Sequence, residues 1–246
     1  MKGRHAVVTG GGTGIGRAIA EGLRDAGAAV TVTGRRMDVL AEVPGCFPMV
    51  MDVSSESSVL EGLVKARAAR GPIHIAVANA GVAEGASLRN TDAEMWRRIM
   101  AINLDGCYHL FRACLPDMLA ENWGRAIAIS SIAGLKGLKG APAYTASKHG
   151  MIGLVRGLAA DLVGKPVTVN ALCPAYVDTE IVTRNADAIA ARTGLGAEAA
   201  RDAMVSANPH GRLIDVDEVA AAALWLCGEG ARSVHGQAIQ IAGGEF

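Results

Sequence analysis

A glycine-rich turn close to the amino terminus restricts this chain to a small set of folds. Residues 5–10 form a short apolar run, HAVVTG, which is typical of a buried parallel strand. From Gly14 onward, apolar residues recur at steps of three and four, which predicts a helix that ends near Gly27. A glycine turn between a strand and a helix lets the backbone approach a phosphate at the helix N-terminus. The segment TGGGTGIG, residues 9–16, therefore predicts a pyrophosphate site.

The predicted pyrophosphate site uses five residues of that turn, namely Gly10, Thr13, Gly14, Ile15 and Gly16. Their spacing departs from the common G-x-G-x-x-G pattern, because the chain reads T-G-x-x-x-G-I-G. A plain tight turn is the alternative interpretation. The position of the turn, directly after the first strand, favours the phosphate site.

Strand-like and helix-like segments alternate along the whole chain. After the first strand, further apolar runs occur at residues 28–33, 46–51, 73–78, 125–130, 167–172 and 237–241, with helical patterns between them. This alternation predicts an α/β fold with parallel strands. The chain has 246 residues, half of them hydrophobic, and no internal repeat or linker divides it. We therefore expect one domain over residues 1–246.

Charge and cysteine content exclude several functional classes. Lys and Arg number 24 and Asp and Glu number 24, so a formal net charge of +0 implies no general attraction to nucleic acid or to an anionic membrane. The five cysteines are scattered without metal-ligand spacing. No apolar run reaches about 18 residues, and strand-like sequence begins at His5, which leaves no room for a signal peptide. We expect a cytoplasmic protein without a metal.

The end of the second strand carries information on the cofactor. Arg35 and Arg36 follow the strand, and no acidic residue appears before Asp38. In dinucleotide-binding folds an acidic residue here binds the adenosine ribose 2′-hydroxyl, whereas an arginine accommodates a 2′-phosphate. The sequence therefore favours NADP(H) over NAD(H). The alternative is a pair of solvated arginines at the start of a helix.

Two further strand ends are predicted to contact the adenosine half of the cofactor. Asp52 and Val53 follow the third strand, where they would lie against the adenine. Asn79, Ala80 and Gly81 follow the fourth strand. Their small size suits a backbone that passes close to a ribose.

Acid–base chemistry is predicted for the segment that follows the fifth strand. Tyr144 and Lys148 are four residues apart, so on a helix they share one face. An ammonium group near a phenol favours the phenolate, which lowers the tyrosine pKa from about 10. Ser131 leaves the strand close by and can hydrogen-bond a carbonyl or alcohol oxygen. The alternative is a surface tyrosine beside an ordinary i,i+4 lysine.

Asn103 interrupts an otherwise apolar run at residues 99–104. A buried amide must find hydrogen-bond partners. Asn103 therefore either holds neighbouring segments together through hydrogen bonds or serves as a polar relay for protons.

Residues 180–210 form the least strand-like part of the chain and follow the end of the sixth strand. Ligands bind at the carboxyl ends of strands in open α/β sheets, so we predict that this segment is a helical lid over the substrate. An ordinary surface excursion is the alternative.

Gly150, Gly153 and Gly157 lie inside the helix that follows Tyr144. Glycine costs about 1 kcal/mol relative to alanine at such positions. Close packing against this helix is therefore expected, and the helix of a partner subunit is a good candidate.

The motifs TGGGTGIG and ANAG, with Asn103, Ser131 and Y-T-A-S-K, resemble the short-chain dehydrogenase/reductase family over essentially the whole chain. Ser131 and Tyr144 stand thirteen positions apart, as the serine and tyrosine of that family do. The resemblance implies a Rossmann-like, doubly wound, mostly parallel sheet of seven strands with helices on both faces. It also implies a homo-oligomer, usually a tetramer.

The resemblance implies a role for each matching residue. Ser131 would orient the substrate oxygen, and Tyr144 would be the general acid/base. Lys148 would bind the nicotinamide ribose and lower the tyrosine pKa, while Asn103 would support a water relay. The nicotinamide end would rest on residues that leave the sixth strand, namely Pro174, Val177 and Thr179.

The chain departs from the family pattern at two cofactor-facing positions. Ala78 precedes Asn79 where the family commonly has a second asparagine, and Ala175 follows Pro174 where glycine is common. The second change could shift the nicotinamide or narrow the substrate site. Neither change removes a catalytic group.

These features predict an oxidoreductase that interconverts a secondary alcohol and a ketone by hydride transfer with NAD(P)(H). The segment NPHGRL, residues 208–213, resembles that of 3-oxoacyl thioester reductases and 3-hydroxyacyl dehydrogenases, and this resemblance implies a 3-oxoacyl or 3-hydroxyacyl thioester as the small-molecule substrate. Small secondary alcohols, diols or hydroxysteroids are the alternative substrates. A catalytically silent cofactor-sensing scaffold is the non-enzymatic alternative, and the retained Ser131, Tyr144 and Lys148 argue against it.

Overall fold

The computed structural model describes residues 1–180, 182–183 and 196–245. Its centre is a seven-stranded sheet in the order β3-β2-β1-β4-β5-β6-β7, and every neighbouring pair is parallel. The strands are β1 His5–Thr9, β2 Ala29–Gly34, β3 Phe47–Val50, β4 Ile75–Ala78, β5 Gly124–Ile129, β6 Val167–Pro174 and β7 Ala238–Ile241. The predicted α/β fold is confirmed, and each predicted strand overlaps an observed one.

Helices connect the strands and cover the sheet. They are α1 Gly14–Asp25, α2 Met37–Ala41, α3 Glu56–Arg70, α4 Ala93–Met100, α5 Gly106–Ala120, α6 Pro142–Asp161, α7 Ala197–Ala207 and α8 Val216–Cys227. Capping residues explain where several of these helices begin. Ser55 accepts a hydrogen bond from Ser58 N at the start of α3, and Asp92 accepts one from Met95 N at the start of α4. A capping box of Asp215 and Glu218 begins α8.

Burial on both faces of the sheet accounts for the continuous apolar strands. Val8 on β1 packs into one core with α1 and α8, whereas its neighbour Val7 packs into a second core with α3, α5 and α6. Both side chains are 0% exposed. Successive residues of a strand point to opposite faces, so a strand between two helical layers needs apolar residues at every position.

The connection between α4 and α5 contains no break. The chain remains helical from α4 through a π-helical segment, Ala101–Asp105, into α5. Asn103 lies within this segment. Single π-helical turns occur frequently at functional sites, because they change the direction in which a side chain points. Apolar periodicity does not reveal such a turn.

The predicted lid falls partly outside the described residues, because residues 181 and 184–195 belong to it. Among the described part, Val182 and Met204 form a small buried cluster. Tyr176 and Leu213, at either side of the predicted lid, pack against this cluster. The parts of the predicted lid that the structure describes therefore meet near the carboxyl end of β6.

Strand order reverses between β1 and β4, where the chain builds outward in both directions. In open α/β sheets, ligands bind in the crevice beyond the carboxyl ends of the strands at such a reversal. The residues that follow β1, β4, β5 and β6 are therefore the candidates for a functional site.

Candidate active site

The glycine turn after β1 is packed too tightly for side chains. A Cβ atom at Gly16 would lie 2.3 Å from Asn79 Nδ2 and 2.4 Å from the Gly10 carbonyl oxygen. Gly10 and Gly14 have φ angles of +62° and +51°, in the left-handed region that favours glycine. Only glycine therefore allows this turn to bring the backbone of the loop so close to β4.

Helix α1 begins with backbone donors that no side chain caps. Its N-cap residue, Thr13, makes no side-chain capping hydrogen bond, and the first turn contains no acidic residue. The first N–H groups of a helix lack partners within the helix and carry a partial positive charge. An open glycine turn followed by these donors fits the pyrophosphate of a dinucleotide.

Thr9 and Asn79 join the glycine turn to the end of β4. Thr9 Oγ1 accepts hydrogen bonds from the backbone N–H groups of Asn79 and Ala80, both at 3.0 Å. The Asn79 side-chain amide donates to the carbonyl oxygens of Thr9 at 2.9 Å and Gly10 at 3.2 Å. Asn79 thus fixes the shape of the turn, and its contact with a ribose stays a prediction. Thr9 was missed by the sequence analysis, because its hydrogen bonds reach residues 70 and 71 positions away.

Asp52 and Val53, which are predicted to contact the adenine, are held in place by contacts within the protein. Asp52 Oδ1 accepts hydrogen bonds from the backbone and the hydroxyl of Ser54, at 2.9 and 2.7 Å. The hydroxyl bond is the main reason why the pKa of Asp52 is lowered, and the nearby Arg35 lowers it further. Val53 is only 7% exposed and packs against Gly106 of α5. Any contact between Val53 and an adenine would therefore involve little of its side chain.

Ser131, Tyr144 and Lys148 lie together beyond β5. Ser131 lies two residues beyond Ile129, the last residue of β5, and its side chain is close enough to Tyr144 to lower the pKa of the phenol. Pro142 begins α6, which places Tyr144 and Lys148 one turn apart on the same face. The Lys148 Nζ atom lies 5.8 Å from the centre of the Tyr144 ring. The predicted juxtaposition of the phenol and the amine is observed.

The electrostatics of this pair differ from the sequence expectation. Burial raises the pKa of Tyr144 from its ordinary value, and the hydrogen bond from Ser131 opposes that increase. Tyr144 is half-buried, so solvent tempers the increase. Burial also lowers the pKa of Lys148 to about 8. In the chain alone, burial therefore disfavours both charged forms, and an acidified Tyr144 stays a prediction for the protein with its cofactor bound.

The Lys148 ammonium group is bound to the end of β5 in this structure. Its Nζ atom donates to the Ile129 carbonyl oxygen at 2.8 Å and lies 3.4 Å from Met151 Sδ. Lys148 is only 4% exposed. One carbonyl partner and a thioether satisfy this ammonium group weakly, which leaves it able to engage a further polar group in the cleft.

Asn103 connects the loop after β4 to the helix that carries Tyr144. Its Oδ1 atom accepts from Val82 N at 2.8 Å, and its Nδ2 atom donates to Val82 O and to Ser147 Oγ, both at 3.0 Å. Ser147 Oγ in turn donates to the Tyr144 carbonyl oxygen at 2.7 Å. These contacts support a structural role for Asn103, and its part in a water relay stays a prediction. Ser147 was missed by the sequence analysis.

The segment after β6 closes the site on the side of the glycine turn. Pro174 ends β6, and Val177 pairs with Ile214 in a parallel bridge. The Thr179 methyl group would lie 3.3 Å from a Cβ atom placed on Gly14. The predicted resting place of the nicotinamide end is therefore next to the predicted pyrophosphate site.

The assembled site fits a nicotinamide dinucleotide. Among the described residues, no group of His, Cys, Asp or Glu side chains could hold a metal ion. No helix in the described part of the chain is long and apolar enough to cross a membrane. The glycine cradle, the uncapped start of α1 and the enclosed tyrosine–lysine pair lie along one edge of the sheet.

Comparisons with known proteins agree with this geometry. The family described as short chain dehydrogenase matches residues 4–190. Acetoacetyl-CoA reductase of Shinella zoogloeoides is 33% identical over 99% of this chain and 98% of that protein. D-beta-hydroxybutyrate dehydrogenase of Rhizobium meliloti is 33% identical over 98% of each chain. The crystal structure of an actinorhodin polyketide ketoreductase with NADPH has a TM-score of 0.94 and 30% identity, covering 98% of this chain and 96% of that one.

The fold, the site and these similarities lead to one assignment. The protein is an oxidoreductase that uses a nicotinamide cofactor to interconvert an alcohol and a carbonyl group in a small-molecule substrate. The chain belongs to the short-chain dehydrogenase/reductase family.

Proposed function

We propose that the protein reversibly reduces a 3-oxoacyl thioester to the 3-hydroxyacyl thioester with NADP(H). The similarity to an acetoacetyl-CoA reductase over 99% of the chain carries this proposal. Lys139 supports it, since this exposed cation lies on the loop between Ser131 and Tyr144 and could meet a phosphate of the thioester carrier. Lys136 on the same loop is paired with Glu245. Arg184 and Arg192 are two further cations that could meet this phosphate, and both lie outside the described residues.

The catalytic residues act on the substrate oxygen. The bound cofactor supplies the hydride that reduces the carbonyl carbon. The Ser131 hydroxyl donates a hydrogen bond to the carbonyl oxygen, which increases the positive charge on the carbon. The Tyr144 phenol donates its proton to the same oxygen, so that an alcohol and a phenolate result. In the oxidation direction the phenolate takes this proton back from the alcohol.

Lys148 is proposed to stabilise the phenolate that proton donation leaves. Its pKa of about 8 means that the amine is largely protonated at neutral pH and loses its charge above that value. The charged form is the one that stabilises a phenolate. The stabilisation of the phenolate by Lys148 is therefore complete below about pH 7 and declines as the pH rises through 8.

NADP(H) is proposed over NAD(H) because of the cations at the end of β2. Arg35 and Arg36 directly follow Gly34, and both are exposed at the carboxyl edge of the sheet. The carboxylate of Asp52, which lies near Arg35, accepts two hydrogen bonds from Ser54. Two guanidinium groups at this position suit the 2′-phosphate.

We also propose that the protein forms a homo-oligomer in the cytoplasm, with a tetramer as the expected state. Of the three glycines within α6, Gly150 is explained inside the chain, because a Cβ atom there would lie 2.8 Å from Leu104. Added Cβ atoms at Gly153 and Gly157 meet nothing within 4 Å. These two glycines leave a smooth helix surface that suits close packing of a second helix.

Replacement of Tyr144 by Phe tests the acid–base role. We expect turnover to fall by about 100- to 10,000-fold, because the proton donor is lost. Cofactor affinity, measured by quenching of protein fluorescence, should stay unchanged. Tyr108→Phe is the matched control, since Tyr108 is 43% exposed on α5, and its turnover should equal that of the wild type. Activity of Tyr144→Phe within about tenfold of the wild type contradicts the proposed mechanism.

A comparison of acetoacetyl-CoA with acetoacetate tests the thioester. The two substrates share the reacting ketone, so a difference in kcat/KM reports recognition of the thioester carrier. We expect the thioester to be preferred by at least about 100-fold, which corresponds to about 2.7 kcal/mol of additional transition-state binding. Oxidation or reduction is followed by nicotinamide absorbance. Equal kcat/KM values, or a preference for the free acid, would eliminate the thioester proposal in favour of a hydroxy acid dehydrogenase.

Replacement of Arg35 by Ala tests the preference for NADP(H). We expect the KM for NADPH to rise by about tenfold or more, because a charge-assisted contact with the 2′-phosphate is lost, while the KM for NADH stays the same. Arg232→Ala removes the same charge from an exposed position after α8 and serves as the control. An equal effect of Arg35→Ala on both cofactors would show that Arg35 does not read the 2′-phosphate.

A further inference from the structure

Asn208 is a buried polar residue that neither the fold analysis nor the proposed chemistry has used. It follows α7, and its side chain is directed into the protein, with only 1% exposure. A buried amide is costly unless its donors and acceptor are satisfied. The contacts of Asn208 show which part of the protein satisfies it.

The Asn208 side chain binds both backbone groups of Tyr176. Its Oδ1 atom accepts from Tyr176 N at 3.2 Å, and its Nδ2 atom donates to Tyr176 O at 2.9 Å. The Nδ2 atom also donates to Arg212 O at 2.7 Å. The amide therefore acts as a neighbouring strand would act, because it pairs with the donor and the acceptor of a single residue.

A parallel bridge continues this pairing by one residue. Tyr176 O also accepts from Ile214 N at 3.0 Å, and Asp178 N donates to Ile214 O at 2.9 Å. Val177 lies between these bonds and is 4% exposed. Asn208 and Ile214 together fix the backbone of residues 176–178 from one side.

Residues 176–178 lie in the segment that is predicted to support the nicotinamide ring. This segment leaves β6 without the glycine that the family commonly has after its proline, since Ala175 occupies that position. From here the chain continues to Thr179, which lies against Gly14 of the predicted pyrophosphate site. The direction of this short segment thus determines where Val177 and Thr179 lie relative to the cofactor.

We infer that Asn208 is a positioning residue that holds the segment Tyr176–Thr179 in the conformation that receives the nicotinamide end of the cofactor. This inference rests on the proposed placement of the cofactor. Asn208 does not contact the reacting atoms. It acts through the backbone of Tyr176, and its bond to the Arg212 carbonyl oxygen joins Tyr176 to the chain that follows α7.

A binding experiment with a cofactor and its fragment separates positioning from general stability. NADPH contains the nicotinamide, whereas 2′-phospho-ADP-ribose retains the adenosine half and the pyrophosphate without that ring. Removal of the Asn208 amide should affect only the ligand that reaches residues 176–179. If the wild type binds NADH more tightly than NADPH, NADH and ADP-ribose form the corresponding pair.

Asn208→Ala is expected to weaken NADPH binding by about tenfold and to leave the affinity for 2′-phospho-ADP-ribose within about twofold. Asn208→Ser is made in parallel as a milder variant, because the serine hydroxyl can still accept a hydrogen bond from Tyr176 N. It should lose less affinity for NADPH than Asn208→Ala does and should likewise retain its affinity for 2′-phospho-ADP-ribose. This variant also carries the test if Asn208→Ala does not fold.

Asn170 supplies the matched control. It is likewise 1% exposed, and its side chain brackets backbone in the same way, with a bond to Val234 O at 2.8 Å and one from Gln237 N at 3.0 Å. It lies four residues before Pro174 along β6, roughly 13 Å away in an extended strand. Asn170→Ala should lower the thermal midpoint as Asn208→Ala does, but should change neither affinity.

The inference is overturned if Asn208→Ala and Asn208→Ser bind both ligands as the wild type does, or lose both equally. It is also overturned if Asn170→Ala shows the same selective loss of NADPH. Failure of the wild type to bind either dinucleotide would instead refute the proposed function. The two failures are therefore distinguishable.

Discussion

Enclosure of the Lys148 ammonium group is the constraint from which the chemistry of this site follows. The group is nearly free of solvent, and its partners within hydrogen-bond reach are one backbone carbonyl and one thioether. Burial therefore lowers the pKa of Lys148 to about 8 and raises that of the neighbouring Tyr144. Without a cofactor, the pair resists the charge separation that proton transfer requires. A cationic group bound beside Tyr144 would lower the pKa of the phenol, so we propose that cofactor binding prepares Tyr144 for acid–base chemistry.

The surroundings of the pair are rigid because side chains bind backbone at each loop. Thr9 and Asn79 join the glycine turn to β4, Asn103 joins the next loop to α6, and Asn208 joins the segment after β6 to the chain beyond α7. All of these side chains are short and neutral. A neutral side chain can be buried with its hydrogen bonds satisfied at far lower cost than a charged one. The loops at the carboxyl edge are thus fixed without additional charges near Lys148, which would shift its pKa.

The sequence was sufficient for the fold and for placing the proposed catalytic residues close together. Apolar runs located every strand, because a parallel sheet covered on both faces requires apolar residues throughout each strand. The i,i+4 spacing placed Tyr144 and Lys148 on one face of α6. Gly10, Gly14 and Gly16 were predicted to form a glycine turn at a pyrophosphate site. The turn is observed, with Gly10 and Gly16 packed against Asn79, and the pyrophosphate site stays a prediction.

The sequence was not sufficient for what depends on contacts between distant segments. The hydrogen bonds of Thr9, Ser147 and Asn208 join residues up to 71 positions apart, and no local pattern indicates them. The acidified tyrosine was expected from the spacing of two residues, but burial dominates in the folded chain. The π-helical segment around Asn103 arises from packing between α4, α5 and α6 rather than from apolar periodicity.

Titration of the tyrosine side chains by ¹³C NMR tests the central claim most directly. The chain contains three tyrosines, so the Cζ signal of Tyr144 can be assigned by comparison with Tyr144→Phe. The account predicts that the pKa of Tyr144 lies above about 10 in the protein alone and falls when oxidised NADP⁺ is bound. A pKa below 10 without cofactor, or one that NADP⁺ leaves unchanged, would contradict it.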